Sequence, residues 1–243
     1  MPESPTPSYE ERPGLRPGER GERPAPEGQP APPLTAELAG PARQLFGDAL
    51  PLAERYVAHL ADTGIEWGLI GPREAPRLWE RHVLNCAVVA ELLPRDAHVA
   101  DVGSGAGLPG LCLALARPDC RFVLIEPLER RVEWLDMVVE DLGLGNVDVV
   151  RARAEQVVGE VSADVVTARA VTAMKNLLPL TMPLLRGEGE LLAIKGRSAP
   201  EEIRAARKVL RTYGGAEPEI LTLGEGLLPE TTTVVRVAAR RPR

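Results

Sequence analysis

Aromatic residues are scarce in this chain of 243 residues: three tryptophans, three tyrosines and two phenylalanines, 3% in all. So few supply no row of rings on which nucleic-acid bases could stack. Cysteine is equally sparse. Cys86, Cys112 and Cys120 form no CxxC pair and sit at no metal-ligand spacing, so they read as small core residues of a protein kept reduced. No Ser-His-Asp, Cys-His or metal constellation stands out among only three histidines. No stretch approaches the ~18 unbroken apolar residues of a membrane span. The N-terminal residues lack the apolar centre of a secretory signal. The expectation is a cytoplasmic protein with no membrane partner. The net charge of −6 excludes a highly basic nucleic-acid coat protein but leaves a local basic face open.

Proline is plentiful and uneven. Ten of the 24 prolines fall within residues 1–33, among six acids and four arginines, with no apolar periodicity. Such a stretch cannot bury a core and reads as a disordered tail, with order beginning near Leu34. From Ala36 to Leu93, Leu45, Leu52, Tyr56 and Leu60 recur at spacings near four or seven, punctuated by Gly64, Gly71-Pro72 and Pro94. Residues 34–94 are therefore expected to form three or four helices. Residues 95–243 alternate strands with helices. The strands are expected at His98–Val102, Arg121–Glu126, Val147–Arg151, Ala163–Ala168 and Glu190–Lys195. One helix carries Val132, Leu135, Val139 and Leu142 on a single face and ends at Gly143. Pro179 and Pro183 bend or end the next helix, and Glu201–Arg211 forms another. Glu219–Leu223 and Thr231–Ala238 read as strands with no helix between them. The pattern predicts a Rossmann-like α/β fold: a mostly parallel, doubly wound sheet with its last strand antiparallel.

The densest signal is Val99-Ala100-Asp101-Val102-Gly103-Ser104-Gly105-Ala106-Gly107-Leu108-Pro109-Gly110, followed by the apolar run Leu111 to Ala116. It reads as strand, tight turn and helix, with glycine giving positive φ and close approach to a ligand. The first helical amides are expected to face that ligand unpaired. Gly105–Gly110 matches GxGxxG, a weak motif by itself that suggests NAD or FAD. Asp101 argues otherwise. A carboxylate beside an anionic pyrophosphate raises the energy, whereas one beside a cationic sulfonium amino acid lowers it. The alternative is that Asp101 only caps the turn through backbone amides. Glu126, ending the second strand, suits ribose hydroxyls in either case.

Several fragments occur in order: Arg81-His82-Val83-Leu84-Asn85-Cys86, Asp101–Gly110, Glu126 with Arg130-Arg131, Arg153-Ala154-Glu155, Ala168-Arg169-Ala170 and Ala193-Ile194-Lys195-Gly196. Together they resemble the small-subunit ribosomal RNA guanine-N7 methyltransferases, also called the glucose-inhibited division protein B family, over about Leu45 to Arg211. Two residues depart from the usual pattern: Asn85 stands where an acid is frequent, and Glu126 where the shorter Asp is frequent.

The resemblance implies a class I methyltransferase fold over residues 95–243. It implies S-adenosylmethionine as cofactor, S-adenosylhomocysteine as product, no metal and no obligate protein partner. The substrate implied is one guanine in the decoding-region loop of 16S rRNA in the small ribosomal subunit. Cofactor contacts are expected from Asp101, Gly103, Ser104, Gly105, Gly107, Leu108, Glu126, Ala154, Glu155 and Arg169. Glu155 has the simpler reading of a first-turn helix acid. Arg169, Lys195 and His82 are candidates at the reacting centre. Their simpler readings are a surface ion pair, a solvated strand-end lysine and a structural histidine.

Guanine N7 is an unprotonated acceptor on the Hoogsteen edge, so its methylation needs no general base. A basic side chain at N7 would oppose the positive charge the purine gains. Alignment alone can supply ~7 kcal/mol or more of such a barrier. RNA binding is expected from Lys195, Arg197, Arg204, Arg207 and Lys208. From Lys195 onward ten Lys/Arg face six Asp/Glu, with Arg211 and the terminal Arg240-Arg241-Pro242-Arg243 included. The alternatives are an NAD(P)-dependent oxidoreductase, a methyltransferase with another substrate, and a non-catalytic RNA-binding assembly factor.

Overall fold

The computed structural model describes residues 27–239. Most of the expected tail, residues 1–26, and the terminal arginines Arg240, Arg241 and Arg243 lie outside them. Packing begins before Leu34: Gln29 N–H donates to the Ala61 carbonyl (2.8 Å), and Trp79 Nε1 donates to the Pro32 carbonyl (3.2 Å). Isolated proline-rich chain has nothing to pack on, but here residues 27–33 find a helical surface that sequence proximity does not reveal.

The helices α1 (Ala36–Phe46), α2 (Leu50–Ala61) and α3 (Thr63–Glu66) come first. A winding segment follows: 3-10 over Pro72–Arg77, a widened π turn over Leu78–Leu84, α4 (Asn85–Ala87), and 3-10 again over Val88–Leu92. Pro72 and Pro76 supply no backbone N–H, which disfavours regular α-helix at this point. Helical elements run from Ala36 to Leu92, with this last stretch irregular.

Seven strands make one sheet: β1 (His98–Val102), β2 (Arg121–Glu126), β3 (Val147–Arg151), β4 (Ala163–Arg169), β5 (Leu185–Lys195), β6 (Glu219–Leu223) and β7 (Thr232–Ala238). Their order is β3-β2-β1-β4-β5-β7-β6. The pairings among β1 to β5 are parallel, and β7 runs antiparallel to both β5 and β6. A short link without a helix cannot make a parallel crossover, so β7 turns back. β5 begins five residues earlier than expected, because Leu185 pairs with Ala163 ahead of a bulge. The glycines of Leu185-Arg186-Gly187-Glu188-Gly189 disguise that strand as a turn.

The remaining helices are α5 (Gly110–Ala116), α6 (Glu129–Leu142), α7 (Met174–Thr181) and α8 (Ala199–Thr212). Strand residues alternate between two cores. Val99, Phe122, Leu124 and Val165 join one cluster with the helical segment, α5 and α6, while Ala100, Ile125, Val166 and Ala168 join another with α7 and α8. By the same parity Asp101, Glu126, Thr167 and Arg169 stand on the side of the helical segment. On α6 the buried face is Trp134, Leu135, Val138 and Leu142, turned away from the expected Val132 and Val139. Trp134 sets it: its Nε1 donates to Thr63 Oγ1 (2.9 Å), anchoring α6 to α3. Gly143 closes the helix in the left-handed region, as expected.

The order of the sheet reverses between β1 and β4, a switch point outside whose strand ends open α/β sheets bind ligands. The glycine turn leaves β1 there and Arg169 ends β4.

Candidate active site

Gly103, Gly105 and Gly107 take φ of 71°, 57° and 81°, and the turn they form closes on itself. Gly103 and Ser104 N–H donate to the Ile125 carbonyl (2.8 and 3.3 Å). Gly107 and Leu108 N–H donate to the Ser104 carbonyl (2.7 and 3.1 Å), and Leu111 N–H to that of Gly107 (2.8 Å). Gly105 N–H donates to Glu126 Oε2 (3.0 Å) and Gly110 N–H to Asp101 Oδ2 (3.2 Å). Ser104 Oγ donates to the Asp101 carbonyl (3.0 Å), and the buried Tyr56 hydroxyl on α2 donates to the Ala106 carbonyl (2.6 Å). The expected unpaired helical amides are therefore absent from Gly110 and Leu111. A pyrophosphate needs such donors; an adenosyl group with a sulfonium side chain does not need a row of them.

Asp101 is wholly buried. Besides Gly110 N–H it accepts the Thr167 hydroxyl at Oδ1 (2.9 Å), from the facing position on β4. Its capping reading therefore holds: the carboxylate pins the turn to β4 and does not face solvent. Burial raises its pKa to about 6, against the hydrogen bonds it accepts. A carboxyl with a raised folded pKa contributes stability below its unfolded value of 3.8 and loses it as pH rises through about 6. Asp101→Asn removes that loss. The variant should gain stability relative to the unmodified protein between pH 4.5 and 7, measured as the difference between their urea midpoints; a difference independent of pH would contradict the assignment.

Glu126 is equally buried. Its Oε1 accepts Leu128 N–H (3.0 Å), and Arg131 Nη1 stands 3.6 Å from Oε2. The carboxylate thus ties the glycine turn to the loop leading into α6, and each oxygen keeps a further lone pair. Ala154 is buried and Glu155 exposed in the short 3-10 turn after β3, where Arg153 N–H bonds Gln156 Oε1 (2.8 Å).

Arg169 reaches across to the helical segment. Its Nη1 donates to Cys86 Sγ (3.0 Å) and the His82 carbonyl (3.5 Å), and its Nη2 to His82 Nδ1 (2.9 Å) and the Arg81 carbonyl (3.3 Å). All four terminal N–H groups are engaged, so Arg169 is a bracket between β4 and the π turn rather than a surface ion pair. Because His82 accepts at Nδ1, its proton sits on Nε2 and is donated to Glu74 (2.8 Å). Burial and then the Arg169 charge hold His82 below its usual pKa. Burial pushes the Cys86 thiol up, but Cys112 and Arg169 outweigh it and bring it to about 7.

Lys195 is neither solvated nor free. Its Nζ donates to the Thr172 carbonyl (2.6 Å) and pairs with Glu202 (2.9 Å), whose oxygens also accept Met174 N–H and Ser198 Oγ–H (both 2.9 Å). This network fixes the loop between β4 and α7, in which Ala170 has a φ of 55°. Within that loop Val171 closes over Gly103, with its Cγ2 2.8 Å from where a Cβ would stand. Beside the loop opens a cavity of about 1080 Å³, lined among others by Asn85, Arg169, Lys195, Arg197, Glu202 and Thr232.

The family described as "rRNA small subunit methyltransferase G" matches residues 49–228. The chain belongs to this family. A curated relative named "Ribosomal RNA small subunit methyltransferase G" from Pseudarthrobacter chlorophenolicus is 63% identical over 210 residues, 86% of this chain and 97% of the relative. One of the same name from Streptomyces avermitilis is 52% identical over 197 residues, 81% and 83% of the two chains. Among solved structures, a methyltransferase from Pyrococcus furiosus gives a TM-score of 0.51 at 13% identity, covering 63% of this chain and 80% of that one. A SAM-dependent O-methyltransferase from Thermotoga maritima gives 0.50 at 16%, covering 65% of each. These distant likenesses bear on the fold alone, and the fold is the Rossmann-like class I methyltransferase arrangement.

In this member of the family, Arg197, Arg204, Arg207 and Lys208 are exposed on or before α8, and Arg204 stands 3.8 Å from Glu201. Among the described residues no group of three or more metal-binding side chains occurs, and no helix is long and apolar enough to cross a membrane. Tyr56, Glu74, Thr167 and Glu202 are partners in the site that sequence reasoning missed. Only Thr167 carries a signal, standing two residues before Arg169 and so on the same face of β4.

Proposed function

We propose that this protein transfers the methyl group of S-adenosylmethionine to N7 of one guanine in the decoding-region loop of 16S rRNA, in the small ribosomal subunit. The observation that carries this reading is the pairing of two features at the switch point. One is a glycine turn whose amides are spent internally, and the other is a polar cavity beside it. When bound, the cofactor supplies an electrophilic methyl group on a sulfonium. The turn from Gly103 to Leu108, together with Glu126, Ala154 and Glu155, would hold it. Glu126 fits ribose hydroxyls through its remaining lone pairs, and Asp101 and Ser104 support the turn from beneath.

The cavity suits an electron-pair donor that becomes cationic. Beside the exposed Arg81 and Arg197, its two less exposed basic residues are already committed, Arg169 to His82 and Cys86, and Lys195 to Glu202 and the Thr172 carbonyl. Neither leaves a bare cation to oppose positive charge on the purine. Arg169 and Lys195 are thus positioning residues, holding the two walls of the acceptor space at fixed separation. Binding titrations test the cofactor reading: S-adenosylmethionine and S-adenosylhomocysteine should saturate a single site, and NAD should not. Tight NAD binding with no response to S-adenosylmethionine would overturn it.

The exposed cations on α8 would meet phosphate. Replacing Arg197, Arg207 and Lys208 together by alanine should weaken binding to the small subunit while sparing cofactor affinity. Each lost phosphate contact should also lower the slope of log affinity against log salt by about 0.7 to 0.9. An equal loss of cofactor affinity in the titration would contradict this division of labour.

A further inference from the structure

Asn85 stands where the π turn meets α4, in the wall of the cavity. Its backbone carbonyl is held by the Thr232 hydroxyl on β7 (2.9 Å). Its side chain is held by nothing. Oδ1 is buried with no hydrogen-bond partner, and Nδ2 makes no bond among the described residues. Three polar side chains around it are satisfied: Arg169 is bracketed, and Lys195 and Glu202 pair with each other. A buried carboxamide oxygen left unpaired carries its desolvation penalty with nothing to offset it. Groups left in that state in native proteins call for a partner.

We infer that Asn85 reads the edge of the target guanine opposite N7, accepting N1–H at Oδ1 while Nδ2 donates to O6. This inference rests on the guanine-N7 reading of the site. A carboxamide and the guanine N1–H/O6 pair match donor to acceptor at both positions and leave N7 free on the other flank. A phosphate offers acceptors only and would leave Oδ1 unpaired. The terminal amide turns about χ2, a soft torsion, so a bound base can draw the buried oxygen toward the cavity that Asn85 lines. The bond also favours the transition state. As N7 gains the methyl group the ring becomes cationic and N1–H a stronger donor, so the hydrogen bond tightens during the step and contributes to kcat. Adenine carries no proton at N1 and cannot make it.

The test uses the full-length protein and reconstituted small subunits carrying guanosine, inosine or N1-methylguanosine at the target. Readouts are methyl transfer and, separately, the affinity of the S-adenosylhomocysteine-loaded protein for the particle. With guanosine, Asn85→Ala should lower kcat by about tenfold to a hundredfold, the worth of a good base-edge pair. KM, cofactor affinity and thermal midpoint should change little. Asn85→Asp, which keeps the acceptor but sets a second carboxylate oxygen against O6, should retain more of kcat than Asn85→Ala and less than the unmodified protein. Inosine keeps N1–H and O6 and should serve the unmodified protein nearly as well as guanosine. N1-methylguanosine should reduce the unmodified protein to the level of Asn85→Ala and reduce that variant further by little. Equal losses for both proteins on N1-methylguanosine would overturn the inference, as would inosine proving as poor as N1-methylguanosine. No transfer to guanosine by the unmodified protein would instead remove the underlying guanine-N7 reading.

Discussion

Arg169→Ala should lower methyl transfer at least a hundredfold and destabilise the fold by about 3 kcal/mol. The side chain is mostly buried, and its removal takes the guanidinium from the part-buried His82 Nδ1 and the buried Cys86 sulfur. Each buried group left unpaired costs about 1–3 kcal/mol. The activity loss follows from position: the bracket sets the distance between the helical segment and the edge of β4. A displacement of about 1 Å in a site working by alignment can cost a hundredfold. Lysine should not rescue, since one ammonium cannot span acceptors arranged for a planar fork. Urea denaturation and steady-state methylation measured side by side check the claim. Lost activity with unchanged stability would mean that the guanidinium contacts substrate directly and is no bracket.

Gly110→Val should abolish cofactor binding, and Gly110→Ala should destabilise by about 1–3 kcal/mol through overpacking. A Cβ at Gly110 would lie 2.3 Å from Leu124 Cδ2 and 2.8 Å from Asp101 Oδ2. It would push the carboxylate that holds the turn to β4. Gly105 is the control. Its φ is 57°, but a Cβ there meets nothing closer than the Gly103 carbonyl oxygen at 3.9 Å. Gly105→Ala should cost only the ~1–2 kcal/mol of a left-handed residue. S-adenosylhomocysteine titrations separate the two, and equal losses of cofactor affinity for Gly110→Val and Gly105→Ala would contradict a turn supported through Asp101.

The strands were legible because each is a short β-rich run that ends at a punctuating residue. β1, β2, β3 and β6 fall where alternation and glycine place them. The start of β5 was not legible, since Gly187 and Gly189 give no strand signal until Ala163 is known to lie opposite. The positions of the site residues at the carboxyl edge followed from strand ends, but their partners did not. Arg169 and His82 are 87 residues apart, and Tyr56 and Ala106 are 50 apart. No periodicity reports such meetings. Asp101 shows the same limit. Its charge suggested a cationic ligand, yet burial and Thr167 turn the carboxylate inward. The case against a dinucleotide now rests more firmly on the turn amides, which are spent within the protein.

The most direct measurement incubates the full-length protein with radiolabelled S-adenosylmethionine and small subunits lacking the modification, then maps N7-methylguanine in 16S rRNA by strand scission. One guanine in the decoding-region loop should carry the label at close to one methyl per particle. Label on another atom or another RNA, or no label despite saturable cofactor binding, would contradict the account.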